Sequence, residues 1–223
     1  MEKTGAVESS ADALSPRSRA KRREILEVAG ELFSERGFEK TSLKTLAAEA
    51  QVSTSTIYTY FGDKDDLLDQ VIRTRLDSLL EETVDEVDEA RDPIEELVEG
   101  VRRVNGRVAG DRLLARIATY QRHVVGQGLR EHAQRVIERL EQACTASLRR
   151  AIAEGRFRCE DPQALNAVFR LSMQGWLLSS LQGTEVVSEP RMTEALVDLI
   201  RAAAGSTSAR GDDRAAKLPA SQP

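Results

Sequence analysis

Two short helical patterns separated by only three residues constrain the fold of this chain more than any other feature. The first follows Thr41 or Ser42, either of which could cap it, and carries apolar residues at helical spacing. The second runs over 54–61, and Ser53 is its natural N-cap. Helices joined by so short a turn cross closely, which favours a small residue in the first helix and an apolar residue in the turn. Those two residues are Ala47 and Val52. The pattern indicates a helix-turn-helix.

The rest of the chain also has the sequence features of consecutive helices: N-cap residues, apolar residues at helical spacing, and glycines where helices end. No run of alternating β-branched residues appears, so we predict an all-α fold of about nine helices. Composition predicts disordered tails over 1–16 and 205–223. The helical pattern divides the rest into a three-helix domain with the helix-turn-helix over 17–64 and a larger helical domain over 65–204.

Individual helix limits can also be predicted. The first helix should run from Ser18 to Arg36, where Gly37 ends it. A short helix is expected over 111–121 and a longer one over 130–154. Four aspartates stand where N-caps belong, two of them directly before proline. They are Asp63, Asp92, Asp111 and Asp161.

Charge is distributed unevenly along the chain. The net charge is −5, and residues 65–223 hold 27 acidic and 22 basic residues, which accounts for all of it. The N-terminal part therefore has no net charge, but it carries a cluster of basic residues over 17–23. Such a local patch is sufficient for binding phosphates. That cluster could instead be an ordinary solvated helix face, because Glu24 and Glu27 follow and could pair with it.

Several other classes of protein are poorly supported. No stretch is apolar enough for a membrane span, and the N-terminus lacks a secretory signal. Cys144 and Cys159 form no metal or disulfide pattern, so we read them as buried or incidental thiols, with redox sensing as the alternative. A reduced cytoplasmic compartment fits these features. No catalytic motif or cofactor-binding motif stands in a recognisable context, so we do not expect an enzyme, a metal or a cofactor.

The second helix of the helix-turn-helix carries the candidate chemistry. Ile57 and Phe61, four residues apart, should form its buried face. The outward residues are then hydroxyls and a phenol, groups that can donate to or accept from base edges and phosphates. These residues are Thr54, Ser55, Thr56, Tyr58 and Thr59. Lys40, Lys44 and Lys64 flank the two short helices and could reach the phosphates beside a groove.

The stretch 41–68, with Thr56-Ile57-Tyr58-Thr59-Tyr60-Phe61-Gly62-Asp63-Lys64 at its centre, resembles the signature of the TetR family of transcriptional repressors. The resemblance implies that the third helix of the chain lies in the major groove of double-stranded DNA. It assigns phosphate contacts to Tyr58, Tyr60 and Lys64, and base contacts to Thr54, Ser55, Thr56 and Thr59. Thr41, Lys44 and Ser53 complete the predicted DNA-binding set.

Two residues depart from the family pattern. Gln51 stands where a turn glycine is common, and it is mildly strained if the position needs a positive φ. Thr59 replaces a frequent histidine or arginine, so the family's base preference does not carry over. Tyr60 also has a plainer interpretation, as a core residue beside Phe61.

The resemblance also gives the larger domain its roles. In the family the last two helices form a dimer interface, which implies a homodimer on a palindromic operator. The helix near 162–181 fits, because it is apolar on more than one face and carries small residues. Family members usually bind a small effector among the middle helices, here predicted to be hydrophobic or amphipathic. The candidate ligand-binding residues are Arg102, Asn105, Arg116, Tyr120, His123, Phe169, Met173, Gln174 and Trp176.

Two interpretations of function remain. The first is a regulator, most simply a repressor, that a small ligand releases from its operator. The alternative is an architectural or division-linked DNA-binding protein of the same fold without a small-molecule switch. Trp176 likewise has two interpretations, as a core or interface residue or as a wall of the ligand site.

Overall fold

The computed structural model describes residues 15–85, 91–119 and 126–205. These residues form nine α-helices and contain no β-strand, as the sequence predicts. The helices are α1 (Pro16–Arg36), α2 (Leu43–Glu49), α3 (Thr54–Tyr60), α4 (Lys64–Leu80), α5 (Pro93–Gly110), α6 (Arg112–Ala118), α7 (Gln127–Ala153), α8 (Pro162–Gln182) and α9 (Glu189–Gly205). A short π-helical turn, Glu81–Asp85, follows α4 directly. No helix of the described segments is long and apolar enough to cross a membrane.

The chain divides into two compact units. The described residues up to Ser78 and those from Asp111 to Arg135 form the first unit. The second unit contains Leu79–Gly110 and the described residues from Val136 onwards. Two of the three boundaries therefore fall inside α4 and α7, and the third falls between α5 and α6. The domain limits 17–64 and 65–204 stay a prediction.

The aspartate caps predicted from the sequence are confirmed. In each case the side-chain Oδ1 accepts a hydrogen bond from a backbone amide in the first turn of the helix that follows, which satisfies an otherwise orphan donor. The cap-to-amide pairs are Asp63 with Asp66 at 2.7 Å, Asp92 with Ile94 at 2.9 Å, Asp111 with Leu113 at 2.9 Å, and Asp161 with Ala164 at 2.9 Å.

Several helix ends differ from the predicted ones. Helix α1 begins at Pro16, inside the predicted tail, because Ser15 Oγ accepts from the amide of Ser18 at 3.2 Å and so acts as the cap. Helix α7 begins at Gln127 rather than at residue 130. Helix α6 ends at Ala118, before the predicted 121, and α9 includes Gly205. The remainder of the two predicted tails, 1–14 and 206–223, lies outside the described residues.

Each unit has a core of mostly aliphatic side chains that also takes in phenylalanines of the chain. The core of the first unit is formed where α1, α2, α3 and α4 bury their apolar faces. It includes Ile25, Leu26, Leu32, Phe33, Leu46, Ile57, Phe61, Leu67 and Val71. The core of the second unit packs α5 against α9 and includes residues of α7 and α8. It contains Ile94, Leu97, Val98, Leu148, Phe157, Phe169, Val197 and Ile200.

Candidate nucleic-acid interface

The turn between α2 and α3 is held by backbone hydrogen bonds and by one residue in a left-handed conformation. The amide of Val52 donates to the carbonyl of Ala47 at 2.9 Å, and that of Gln51 donates to the carbonyl of Ala48 at 3.2 Å. Gln51 has a φ of 52°. The strained turn position expected from the sequence is therefore confirmed, since a positive φ is uncommon for residues other than glycine. The two backbone hydrogen bonds hold the turn in this conformation.

Helix α3 has an apolar face turned inward and an uncharged polar face turned outward. Ile57 is fully buried and Phe61 is 1% exposed, as the sequence predicts. On the other side, Tyr58 is 53% exposed, and Ser55 and Thr59 are also exposed. The outward groups are therefore a phenol and hydroxyls, which can both donate and accept hydrogen bonds.

Hydroxyl groups at the start of α3 form a connected cluster. Ser53 Oγ accepts from the amide of Thr56 at 3.1 Å and lies 2.7 Å from both Ser55 Oγ and Thr56 Oγ1. Thr59 Oγ1 donates to the carbonyl of Ser55 at 2.9 Å. These bonds orient the hydroxyl groups, and each oxygen keeps acceptor capacity for an incoming donor. The structure thus brings Ser53, Ser55, Thr56 and Thr59 together, while Thr54 is half-buried beside them.

The predicted DNA contact by Thr41 is corrected. Thr41 is 1% exposed, and its hydroxyl donates to the carbonyl of Gly37 at 2.9 Å, so this side chain fixes the end of α1 from inside. Ser42, rather than Thr41, caps α2: its Oγ accepts from the amide of Thr45 at 3.0 Å. Lys44, in the first turn of α2, is exposed.

The end of α3 and the start of α4 combine aromatic packing with one cation. Tyr60 is half-buried, and its ring centre lies 6.1 Å from that of Phe61 in a tilted arrangement. Both interpretations of Tyr60 are compatible with this position, since the ring packs while part of the side chain stays accessible. Lys64 begins α4, and its Nζ lies 4.1 Å from the centre of the Phe38 ring.

The basic cluster at the start of α1 is not uniform. Arg17, Arg19 and Arg23 are exposed, as a phosphate-binding face requires. Lys21 instead pairs with Glu24 at 2.6 Å, as the plainer interpretation expects. Arg22 lies over the ring of Phe61 at 5.3 Å, and burial lowers the pKa of its guanidinium from the ordinary value. Some residues of the cluster are therefore exposed charges, whereas Arg22 packs inside the first unit.

The polar candidates for effector binding already have partners within the second unit. Arg102 forms two hydrogen bonds with Glu194, both of 2.8 Å, at the surface. Asn105 is buried, and its Nδ2 donates to Thr193 Oγ1 at 3.0 Å. Gln174 accepts a long hydrogen bond of 3.4 Å from Arg170. Arg102 and Asn105 thus join α5 to α9, whereas the bond to Gln174 lies within α8.

The other effector candidates lie in different surroundings. Phe169 belongs to the core of the second unit, and Met173 is 6% exposed. Trp176 Nε1 donates to the carbonyl of Val187 at 2.7 Å, which ties α8 to the segment that precedes α9. Arg116 is an exposed residue of α6 in the first unit. Tyr120 and His123 lie outside the described residues.

The sequence did not predict the contacts that Arg75 makes inside the first unit. The guanidinium of Arg75 in α4 forms an ion pair with the carboxylate of Asp111 and donates to Ser34 Oγ at 3.0 Å. A Cβ on Gly30 would lie 2.5 Å from Arg75 Nη2, so the arginine packs directly on the backbone of α1. A glycine inside a helical pattern was the available signal, because it often marks a close approach.

Together, the left-handed turn, the buried face of α3 and its outward hydroxyl groups define a helix-turn-helix of the kind that places its second helix in a DNA groove. Comparison with known proteins gives the same class. Residues 25–71 match the family model described as bacterial regulatory proteins, tetR family.

Relatives and solved structures extend this likeness. The chain is 35% identical over 133 residues to the HTH-type transcriptional regulator HbdR of Aromatoleum sp. (strain CIB). That match spans 56% of this chain and 58% of HbdR, a little over half the length of each. The crystal structure of the TetR family transcriptional regulator PfmR from Thermus thermophilus is 26% identical, covers 80% of this chain and 94% of its own, and has a TM-score of 0.62.

A second solved structure shares the fold at lower identity. FadR from Bacillus subtilis, in complex with stearoyl-CoA, is 18% identical, covers 80% of this chain and 96% of its own, and has a TM-score of 0.63. Over residues 25–71 the chain is thus similar to the tetR family of bacterial regulatory proteins, and the described helices share the fold of solved members of that family.

Proposed function

We propose that this protein is a transcriptional regulator that binds a palindromic operator as a homodimer in the cytoplasm and is released by a small apolar or amphipathic ligand. The observation that carries the proposal is the outward face of α3, where Tyr58 is 53% exposed beside ordered hydroxyl groups. An exposed polar helix face next to a tight helix-turn-helix suits hydrogen bonding to base edges.

The basic side chains around α3 support an arrangement in which the outward face of α3 is turned toward DNA. Arg17, Arg19 and Arg23 give α1 an exposed basic end, while Lys44 and Lys64 lie in the first turns of α2 and α4. Lysine and arginine side chains beside a reading helix can neutralise phosphates and set its register on the duplex. In this proposal they supply affinity, and the hydroxyl groups of α3 supply sequence preference.

The proposed dimer rests on an exposed apolar stripe of α8. Val168, Leu171 and Leu178 are 54%, 57% and 44% exposed, at spacings that place them on one side of the helix. Phe169, Met173 and Leu177 occupy the buried side. Leu199 in α9 is 65% exposed. Large apolar side chains in such a stripe are costly in water and are typical of a surface that another chain covers.

The dimer can be tested with one substitution inside the apolar stripe of α8 and one control substitution outside it. We expect Leu171→Glu to convert the protein to a monomer, because it places a charge in the centre of the apolar contact. Gln163→Glu, at an exposed position of the same helix away from the stripe, is the matched control. Sedimentation of both variants and the wild type gives the answer. A dimeric Leu171→Glu variant would remove this stripe from the proposal.

The effector is proposed by class only. FadR from Bacillus subtilis, which shares the fold, was solved with stearoyl-CoA, a molecule with an apolar chain and a charged end. A ligand that releases DNA must favour the non-binding conformation, by a coupling of about 1–3 kcal/mol. We therefore expect a long-chain acyl-CoA or a compound of similar amphipathic character to weaken DNA binding about 5- to 150-fold. A short-chain acyl-CoA at the same concentration is the control.

The DNA-binding function is tested by selection from the genome. Purified protein is mixed with sheared genomic DNA of its source and washed at moderate salt, and the retained fragments are sequenced. One or a few enriched sites sharing an inverted repeat are expected from a dimeric, sequence-specific regulator. Broad, salt-sensitive retention without a shared motif would contradict operator binding and favour the architectural alternative.

A further inference from the structure

The contact between Lys64 and Phe38 joins the start of α4 to the segment between α1 and α2. Lys64 Nζ lies 4.1 Å from the centre of the Phe38 ring, well inside the range of a cation–π interaction. The ring is itself fixed, because it packs edge-on against Phe33 with 5.3 Å between ring centres. Phe33 is 2% exposed and belongs to the core of the first unit. The ammonium group therefore rests on a surface anchored in the core.

The position of Lys64 is otherwise unfavourable for a lysine. It is the first residue of α4, where the helix dipole presents partial positive charge. A free lysine side chain also samples many rotamers, and ordering it on binding weakens affinity by a factor of about 2 to 10. The negative face of the Phe38 ring offsets the first disadvantage, and the contact removes part of the second.

We propose that Phe38 is a positioning residue that holds the Lys64 ammonium in place to contact a backbone phosphate of DNA. An ammonium that rests with one side on a ring keeps N–H groups on its other side, so a phosphate oxygen can be bound without breaking the aromatic contact. Lys64 is half-buried, and both residues lie on the first unit, which also carries α3. This inference rests on the proposed DNA-binding function.

The test is a double-mutant cycle measured on a random-sequence duplex, because a phosphate contact does not depend on sequence. Phe38→Leu should weaken binding about two- to five-fold when Lys64 is present, because the lysine side chain must then be ordered when the DNA binds. In a Lys64→Ala background the same Phe38→Leu substitution should have no further effect. Phe38→Tyr, which keeps the aromatic face, should bind like the wild type.

Phe38→Leu could also weaken the fold, so a variant of equal shape is included. A single pentafluorophenylalanine at position 38 keeps the size and apolar character of the ring but reverses its quadrupole. It should weaken binding about as much as Phe38→Leu. In the DNA-free protein, the Lys64 Hε protons should show an upfield ring-current shift by NMR, and that shift should be lost in Phe38→Leu.

The possible outcomes separate this inference from the function on which it rests. Equal losses from Phe38→Leu with and without Lys64 would overturn it, because Phe38 would then act only through the fold. Unchanged or tighter binding by the fluorinated variant would overturn it as well. If the wild type itself does not bind the duplex, the proposed function fails and the positioning role fails with it, even where the NMR shift confirms the contact.

Discussion

The guanidinium of Arg22 lies over the ring of Phe61, 5.3 Å from its centre, and so joins α1 to the residue that ends α3. The same group donates a hydrogen bond to Gln70 Oε1 in α4. Gln70 in turn donates to Asp66 Oδ1 at 3.1 Å. One side chain of the basic cluster thus connects three helices of the first unit. Its role is to hold the candidate reading helix in place.

This relationship predicts a difference between two neighbouring arginines. Arg22→Ala should lower the free energy of unfolding by about 1–2 kcal/mol, because it removes a cation–π contact and leaves the buried Gln70 without its donor. Arg23→Ala removes an exposed side chain and should change that free energy by less than about 0.5 kcal/mol. Urea denaturation of both variants measures the difference. Equal effects would show that Arg22 acts as ordinary surface charge.

Gly30 gives a second prediction about stability. Alanine is the better helix former by about 1 kcal/mol, but its Cβ would lie 2.5 Å from Arg75 Nη2. The guanidinium must then move away from Asp111, and we expect Gly30→Ala to destabilise the protein by about 1–2 kcal/mol. Gly106→Ala in α5, where a Cβ meets nothing within 4 Å, is the matched control and should stabilise by about 0.5–1 kcal/mol. Thermal unfolding of both variants tests the sign; a Gly30→Ala protein as stable as the control would show that Arg75 is not held there.

Local features of this fold are predictable from the sequence because caps and turns depend on neighbouring residues. The aspartate caps and the buried face of α3 follow from spacing and residue type, whereas the positive φ at Gln51 is suggested only by the family resemblance, in which a glycine is common at that position. The sequence places Thr41 at the interface, whereas its hydroxyl closes onto the carbonyl of Gly37 in the core. A short polar residue before a helix can serve either role, and only packing decides between them.

Contacts between distant segments could not be predicted in this way. Arg22 forms a hydrogen bond with Gln70, and Arg75 forms an ion pair with Asp111. The partners are far apart in the sequence, and the spacing of apolar and polar residues does not predict such pairs. The same limit affects the effector site. Asn105 is a candidate for orienting an effector, but in the structure it is buried and donates a hydrogen bond to Thr193 in α9. The DNA-binding and effector-binding residues therefore stay predictions.

Cys144 provides a prediction about pH and reactivity. Burial raises the pKa of its thiol to about 12. A thiol that ionises near pH 9 when unfolded but near 12 when folded favours the unfolded state as pH rises through that window, so stability should fall above about pH 9. At pH 8 the folded protein should keep Cys144 as an unreactive thiol. Maleimide labelling of a Cys159→Ser variant tests this, and labelling as fast as in urea would support a redox-active thiol.

Lys64 gives a prediction about electrostatic affinity. Lys64→Ala should weaken binding to specific and random DNA alike and lower the slope of log affinity against log salt by about one unit. Lys21→Ala, whose side chain pairs with Glu24, is the control and should leave the slope nearly unchanged. Fluorescence anisotropy across a salt series measures both slopes. A changed sequence preference with an unchanged slope would mean that Lys64 contacts a base.

The central claim is that the outward face of α3 reads base pairs, and in vitro selection from a random duplex library tests it most directly. Wild-type protein should select an inverted repeat. Thr59→Val removes the hydroxyl with little change of shape and should keep the half-site spacing while altering the preferred base at one position per half-site, a discrimination of about 1–3 kcal/mol. If both proteins select the same repeat with the same preference at every position, Thr59 reads no base. If the wild type selects no repeat at all, the account of α3 as a reading helix is contradicted.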